Sequence, residues 1–275
     1  MRRLFCVIVL LIAAELPGYR EAAAKDLEDP FDLSASSYLL KRDGKALWAR
    51  SPDKKLPPAS LTKIMTALIT LKNSKLEEIA VVSTEAAMET GSRLGLKPGE
   101  RMYVGFLLAA TLLNSANDAC HALADHVAGN EGRFVRMMNA EARALGMSGT
   151  HFTNACGHDG KGHYSTARDL AILAEAALMD KEFSDIVSIA AFDITTAGGG
   201  RAFRLSNHNE LIGRYPGAMG VKSGYTLKAG KCVIAVAERG GVKIMLVLLN
   251  APNRWWDAEA MLDKGFHGAG SRAAR

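Results

Sequence analysis

Strand-like runs near both ends of the chain bracket a long helical block, and this order restricts the fold more than any other feature. Ser37 to Arg42 and Lys45 to Arg50 meet at Asp43-Gly44, a dipeptide that favours a tight hairpin. After Leu56-Pro57-Pro58-Ala59, residues Ser60 to Leu71 carry Ile64, Leu68 and Leu71 at helical spacing, and a short strand-like run, Ile79 to Val82, follows. Val104 to Leu113, Asp118 to Ala128, Gly132 to Leu145 and Arg168 to Met179 then repeat apolar residues every three or four positions. Strand character returns at Phe192 to Thr196, Phe203 to Ser206, Ala218 to Ser223, Cys232 to Glu238 and Val242 to Leu249, before a closing helix over Arg254 to Phe266. The pattern predicts an α+β fold: an antiparallel sheet built from both chain ends, flanked by helices, with a mainly helical lobe inserted. The sheet lobe is expected at about 30–82 and 190–268 and the helical lobe at about 83–189, with a cleft between them as the place for chemistry.

Composition matters mainly for what it excludes. Of 275 residues, 48% are hydrophobic and 23% charged, enough apolar material for a sizeable core and too much for a disordered chain. The net charge of +5 arises without a run of five or more like charges, so no nucleic-acid partner is expected. Arg2-Arg3, the apolar run Leu4 to Ala14 and Ala22-Ala23-Ala24 read as a secretory signal peptide over 1–24, with an uncleaved anchor as the alternative. Export is therefore expected, to the periplasm or beyond the cell. The remaining cysteines, Cys120, Cys156 and Cys232, are an odd number without close spacing. They exclude a disulfide framework and allow one pair at most; the plain reading is three buried thiols.

Three short motifs carry chemistry. Ser60-Leu61-Thr62-Lys63 places a hydroxyl and an amine three residues apart at a helix start, on one face. Serine is a poor nucleophile unaided, but a lysine desolvated beside it can take its proton. Ser115-Ala116-Asn117 lies at an interhelical turn, where the same residues need only be a cap. Lys222-Ser223-Gly224 ends a strand, and its glycine allows close approach to backbone.

In this order and on these elements, the three motifs resemble the signatures of the penicillin-binding and serine β-lactamase superfamily. The flanking stretches Pro58 to Thr66, Ser92 to Glu100, Asn117 to Cys120, His163 to Asp169 and Gly220 to Thr226 are similar to the low-molecular-mass D-alanyl-D-alanine carboxypeptidases, over roughly residues 30 to 266. The resemblance implies a β-lactamase/transpeptidase-like fold and a catalytic domain over 25–268. It implies removal of the terminal D-alanine from peptidoglycan stem pentapeptides through an acyl-enzyme, with inhibition by β-lactams and without metal or other cofactor. Ser60 would be the nucleophile, Lys63 its general base and Ser115, with Lys222 nearby, the relay of a proton to the departing D-alanine. Asn117 would bind the peptide amide, the N–H groups of Ser60 and Tyr225 the oxyanion. Lys222, Ser223 and Thr226 would hold the terminal carboxylate beside Gly224.

The third motif reads more often Lys-Thr-Gly in that family, and His208 stands where relatives often carry a basic residue, which puts a carboxylate-binding role for it in doubt. The tail, Gly268 to Arg275, is too short for the accessory domain and amphipathic anchor of many relatives, so no stable membrane anchor is expected after signal cleavage. A peptidoglycan D,D-endopeptidase with the same residues, and a non-catalytic wall-binding module, are the alternatives. A class A β-lactamase is disfavoured because no Glu-x-x-Leu-Asn segment lies between the second and third motifs. His158, Asp159 and His163 match no closed zinc pattern, and His121 and His126, five apart, are ordinary helix residues. Cys120 is read as a buried thiol near the cleft, and Trp255-Trp256 as packing the closing helix onto the sheet.

Overall fold

A computed structural model describes residues 30, 31 and 35–267. The expected signal segment 1–24 and tail 269–275 lie outside them. Hairpin strands β1 (Ser37–Arg42) and β2 (Lys45–Arg50) lead through a 3₁₀ turn at Ala59–Thr62 into α1 (Lys63–Asn73). Then come β3 (Ile79–Val81), α2 (Thr84–Ala87), β4 (Arg101–Tyr103), α3 (Val104–Leu112), α4 (Asn117–Ala128) and α5 (Glu131–Ala144). Helices α6 (Ala167–Leu178) and α7 (Lys181–Ser188) precede a ribbon of β5 (Ala191–Thr195) and β6 (Ala202–Ser206). Strands β7 (Ala218–Thr226), β8 (Gly230–Arg239) and β9 (Val242–Leu249) and helix α8 (Arg254–His267) complete the described chain.

The main sheet has the order β2-β1-β9-β8-β7 and every neighbouring pair is antiparallel. Strand β1 pairs with β9, Leu40 opposite Leu246, which joins the two chain ends as the sequence pattern requires. Alternation sorts the side chains. Leu39, Ile234, Val236, Val247 and Leu249 enter the core shared with the helical lobe, while Leu40, Val233, Leu246 and Leu248 face a second core under α8. Helix α8 contributes Ala258, Met261 and Leu262 from one stripe. Each such fully buried aliphatic side chain stabilises the fold by roughly 1.5–3 kcal/mol.

The runs at 192–196 and 203–206 do not join this sheet. They form β5–β6, a separate ribbon whose outward residues are mostly exposed and whose Phe192 ring meets Phe106 of α3 at 6.1 Å. The α-helix begins at Lys63 rather than Ser60, because Ala59 at φ +50° and a 3₁₀ turn occupy the entry. Helix α7, unread in the sequence, has only Phe183 and Val187 buried and is capped by Asp180, whose side chain accepts from the Phe183 N–H. Trp255 packs against the second core, but Trp256 is 79% exposed and does not serve as packing. Three buried thiols are also a wrong reading: Cys120 and Cys156 form a disulfide across 36 residues, and only Cys232 is a free buried thiol among the described residues. None of the described helices is long and apolar enough to cross a membrane.

Candidate active site

The 3₁₀ turn carries Ser60 and delivers the chain to Lys63, whose side chain is fully buried. The Lys63 Nζ lies 3.2 Å from Ser60 Oγ and donates to Asn117 Oδ1 at 2.6 Å and to the Cys156 carbonyl at 2.5 Å. No carboxylate lies within ion-pair distance of Lys63 or Lys222 among the described residues. Burial, reinforced by the charge of Lys222, holds the Lys63 amine well below its ordinary range, with Glu89 opposing. Lys222, on β7, is likewise buried, and desolvation together with Arg254 brings it down to about 7. Its Nζ donates to the Ser223 carbonyl at 3.0 Å.

Two glycines let three segments converge on Ser60. A Cβ on Gly157, where φ is +88°, would lie 2.0 Å from the Ala59 carbonyl oxygen and 2.9 Å from the Ser60 nitrogen. A Cβ on Gly224 would lie 2.9 Å from that same nitrogen, so the third motif needs its glycine to bring β7 against the nucleophile turn.

Above these buried amines opens a cleft of about 660 Å³, walled by Ser60, Ser115, Asn117, Ser223, Tyr225 and Thr226 among others. Ser115 adopts φ +57° at the turn between α3 and α4. Asp118, next in the chain after Asn117, accepts from the N–H groups of Leu94, Gly95 and Leu96, tying the 92–100 stretch to the start of α4. The Asn117 amide is already engaged, accepting from Lys63 and donating to the Thr90 carbonyl at 2.6 Å, which leaves one N–H and one lone pair for a ligand. Thr226 Oγ1 donates to Asp159 at 2.7 Å, and Tyr225 stands exposed at the rim. Ser223 Oγ donates to the His208 carbonyl at 3.2 Å, while the His208 residue lines the cleft.

Arg254 is the site residue that the sequence reading passed over. Its Nη1 donates to the Gly224 carbonyl at 2.8 Å, its Nε is buried without a hydrogen-bond partner, and it lines the cleft. A signal existed: an arginine at the first position of a helix opposes the macrodipole and calls for another reason to be there.

The histidines of the 158–163 loop diverge. His158 meets Glu89 at 2.8 Å, Asp159 meets Thr226, and His163 bridges Thr62 Oγ1 at 2.9 Å and the Thr153 N–H at 3.0 Å, so they share no metal site. Glu89, His121 and Glu131 do place one donor atom each within 4.8 Å of one another and have the chemistry to hold a cation. The His121 ring, however, already has Glu89 at 2.7 Å and Asp125 at 3.6 Å.

His163 carries a pH prediction. The Thr153 N–H occupies Nδ1, so Nε2 bears the proton that Thr62 accepts, and burial lowers the imidazole to about 4. The folded state then binds fewer protons than the unfolded chain between about pH 6.5 and 4. Stability from this group is complete above pH 6.5 and lost as pH falls through that window, by up to about 3 kcal/mol. Urea midpoints measured from pH 7 to 4 should fall less steeply in His163→Gln than in the parent; equal slopes would contradict the assignment.

Residues 22–253 match the family described as D-alanyl-D-alanine carboxypeptidase, Peptidase_S11. The chain is 34% identical over 260 residues to the D-alanyl-D-alanine carboxypeptidase DacF of Bacillus subtilis, covering 91% of this chain and 67% of that one. It is 34% identical over 231 residues to DacB2 of Mycobacterium tuberculosis, covering 81% and 78%. Among solved structures, a D-alanyl-D-alanine carboxypeptidase from Mycobacterium tuberculosis superposes with a TM-score of 0.82 at 31% identity, covering 90% of this chain and 96% of that one. The Streptomyces K15 DD-transpeptidase superposes with a TM-score of 0.80 at 30% identity, covering 85% and 97%.

Proposed function

The chain belongs to the D-alanyl-D-alanine carboxypeptidase family, and from that membership we propose how its cleft works. It is a serine-type D-Ala-D-Ala carboxypeptidase. The observation that carries the proposed mechanism is Lys63: a buried amine 3.2 Å from Ser60 Oγ, with no carboxylate within ion-pair distance among the described residues. Neutral Lys63 takes the Ser60 proton as Oγ attacks the carbonyl of the penultimate D-alanine. The N–H groups of Ser60 and Tyr225 receive the charge that develops on oxygen. As the tetrahedral intermediate collapses, the departing D-alanine nitrogen gains a proton through Ser115, supplied from the Lys63–Lys222 pair. Water then hydrolyses the ester, Lys63 again acting as base. Asn117 orients the stem peptide with its remaining N–H, and Lys222, Ser223, Gly224 and Thr226 form the leaving-group side. A β-lactam enters the same route with its ring amide in place of the D-Ala-D-Ala bond.

We assign the substrate carboxylate to the guanidinium of Arg254, which lines the cleft beside the Gly224 carbonyl, with Lys222 on β7 as a second amine that is only partly charged near pH 7. Arg254→Ala should raise KM about 10-fold or more for a substrate ending in a free carboxylate and far less for its amide. Equal changes for both would remove Arg254 from this role. The segment 1–24 supports export to the cell envelope, where the stem peptide is found.

Incubation with a muropeptide pentapeptide tests the function: one free D-alanine should appear per tetrapeptide formed. Separation of cross-linked dimers without D-alanine release would instead favour the endopeptidase reading.

A further inference from the structure

Lys63 is aimed by its two other acceptors, Asn117 Oδ1 and the Cys156 carbonyl, and both sit on segments that are tied together behind the site. The first turns of α4 supply Asn117, Cys120 and His121, which share one side of the helix at three- and four-residue spacing. The facing loop supplies the Cys156 carbonyl, the Cys156 sulfur and His158. Two cross-links join these segments side by side. One is the Cys120–Cys156 disulfide. The other is Glu89, whose Oε1 meets His121 Nδ1 at 2.7 Å and whose Oε2 meets His158 Nε2 at 2.8 Å. The residue after Glu89 closes the arrangement, because the Thr90 carbonyl accepts from Asn117 Nδ2.

We propose that Glu89 and the Cys120–Cys156 disulfide act as a paired strap whose function is to position Lys63 against Ser60. Glu89 and Cys120 stand behind the cleft lining and Cys156 is part of it, but all three are argued to act through Lys63 as positioning residues, and the inference rests on the reading of Lys63 as the base. Opening either tie removes no group from the amine; it frees the Cys156 carbonyl and the Asn117 amide to drift, and with them the direction of Nζ. A displacement of this kind slows the proton transfer, which depends steeply on geometry, more than it weakens substrate binding, to which Asn117 adds one N–H among several cleft-wall contacts.

Charge adds a signature that a purely structural tie lacks. The groups that act on Lys63 are Lys222 on β7, which opposes its protonation, and Glu89, which favours it. Glu89 is itself faced by His121 and His158, and His121 by Asp125 and Glu131. Glu89→Gln therefore shifts the acid limb of acylation to lower pH. The disulfide variant Cys120→Ser/Cys156→Ser has no such charge to remove and changes rate alone.

The test is the rate constant of acylation by a fluorescent penicillin, measured from pH 5 to 9 for the parent, Glu89→Gln, Cys120→Ser/Cys156→Ser, their combination and Ser60→Ala. Each strap variant should acylate about 10-fold more slowly, with half-saturation changed less than twofold. The combination should lose more than the product of the two, since each tie holds the loop when the other is absent. Acylation at the parent rate and with the parent pH limb in Glu89→Gln overturns the strap, and so does a loss confined to half-saturation. Should the cysteine variant not fold, Glu89→Gln alone decides through its rate and its limb. Labelling that persists in Ser60→Ala overturns the reading of the site beneath the strap; a silent Ser60→Ala with unaffected strap variants overturns the strap only.

Discussion

Lys63→Met should lower the rate of acylation by about 10³-fold, within the 10²–10⁴ range of a lost general base, while leaving thermal stability nearly unchanged. The two effects separate for a physical reason. Lys63 is a fully buried amine held by two oxygens, with no carboxylate in reach among the described residues, so the fold bears its desolvation and gains little from its charge. Methionine fills much of the same volume and removes that burden, though it leaves the Cys156 carbonyl and Asn117 Oδ1 short of a donor. The chemistry has no such substitute, because among the described residues no other amine or imidazole is hydrogen-bonded to Ser60 Oγ. Thr62, the nearest hydroxyl in sequence, is turned towards Ala59 and His163. Stopped-flow acylation and a melting curve on the same preparation check both halves. A variant that acylates within 10-fold of the parent would show that the proton leaves Ser60 by another path.

Gly157→Ala should be the most damaging single-methyl change at the site, costing roughly 2–4 kcal/mol of stability from positive-φ strain and overpacking together, with acylation reduced at least 10-fold. The added Cβ would lie 2.0 Å from the Ala59 carbonyl oxygen, and Ala59 itself already holds φ +50°. These neighbours are backbone, so relief requires moving the 3₁₀ turn that carries Ser60 or the 154–158 loop that offers Lys63 its carbonyl acceptor. Gly198→Ala, at φ +99° but with nothing within 4 Å of its Cβ, is the control for strain without collision. Urea unfolding and acylation rates of the two variants separate the contributions. If Gly157→Ala behaves like Gly198→Ala, the close approach does not position the nucleophile turn.

The sheet and the three motifs were legible because they are local patterns. Alternating runs mark β1, β8 and β9, and Ser60 with Lys63, Ser115 with Asn117 and Lys222 with Gly224 are each readable within four residues. What escaped reading depends on the fold. The second acceptor of Lys63 is the main-chain carbonyl of Cys156, to which no side-chain pattern points. The partners of Cys120 and Cys156 are 36 residues apart, and three cysteines alone do not say which two meet. Glu89 lies just beyond the single turn of α2, and its function as a bridge exists only because α4 and the 154–163 loop present His121 and His158 to it. The β5–β6 ribbon has strand-like residues, but its mostly exposed pattern gives the main sheet no apolar face to pair with.

On the proposed mechanism Ser60 is the residue acylated, and Lys63 takes its proton. Intact-protein mass spectrometry after brief exposure to benzylpenicillin, followed by peptide mapping, tests it most directly. A single penicilloyl ester should appear on the peptide that carries Ser60, formed slowly in Lys63→Met and absent in Ser60→Ala. An adduct on another residue, or one that persists in Ser60→Ala, would contradict it.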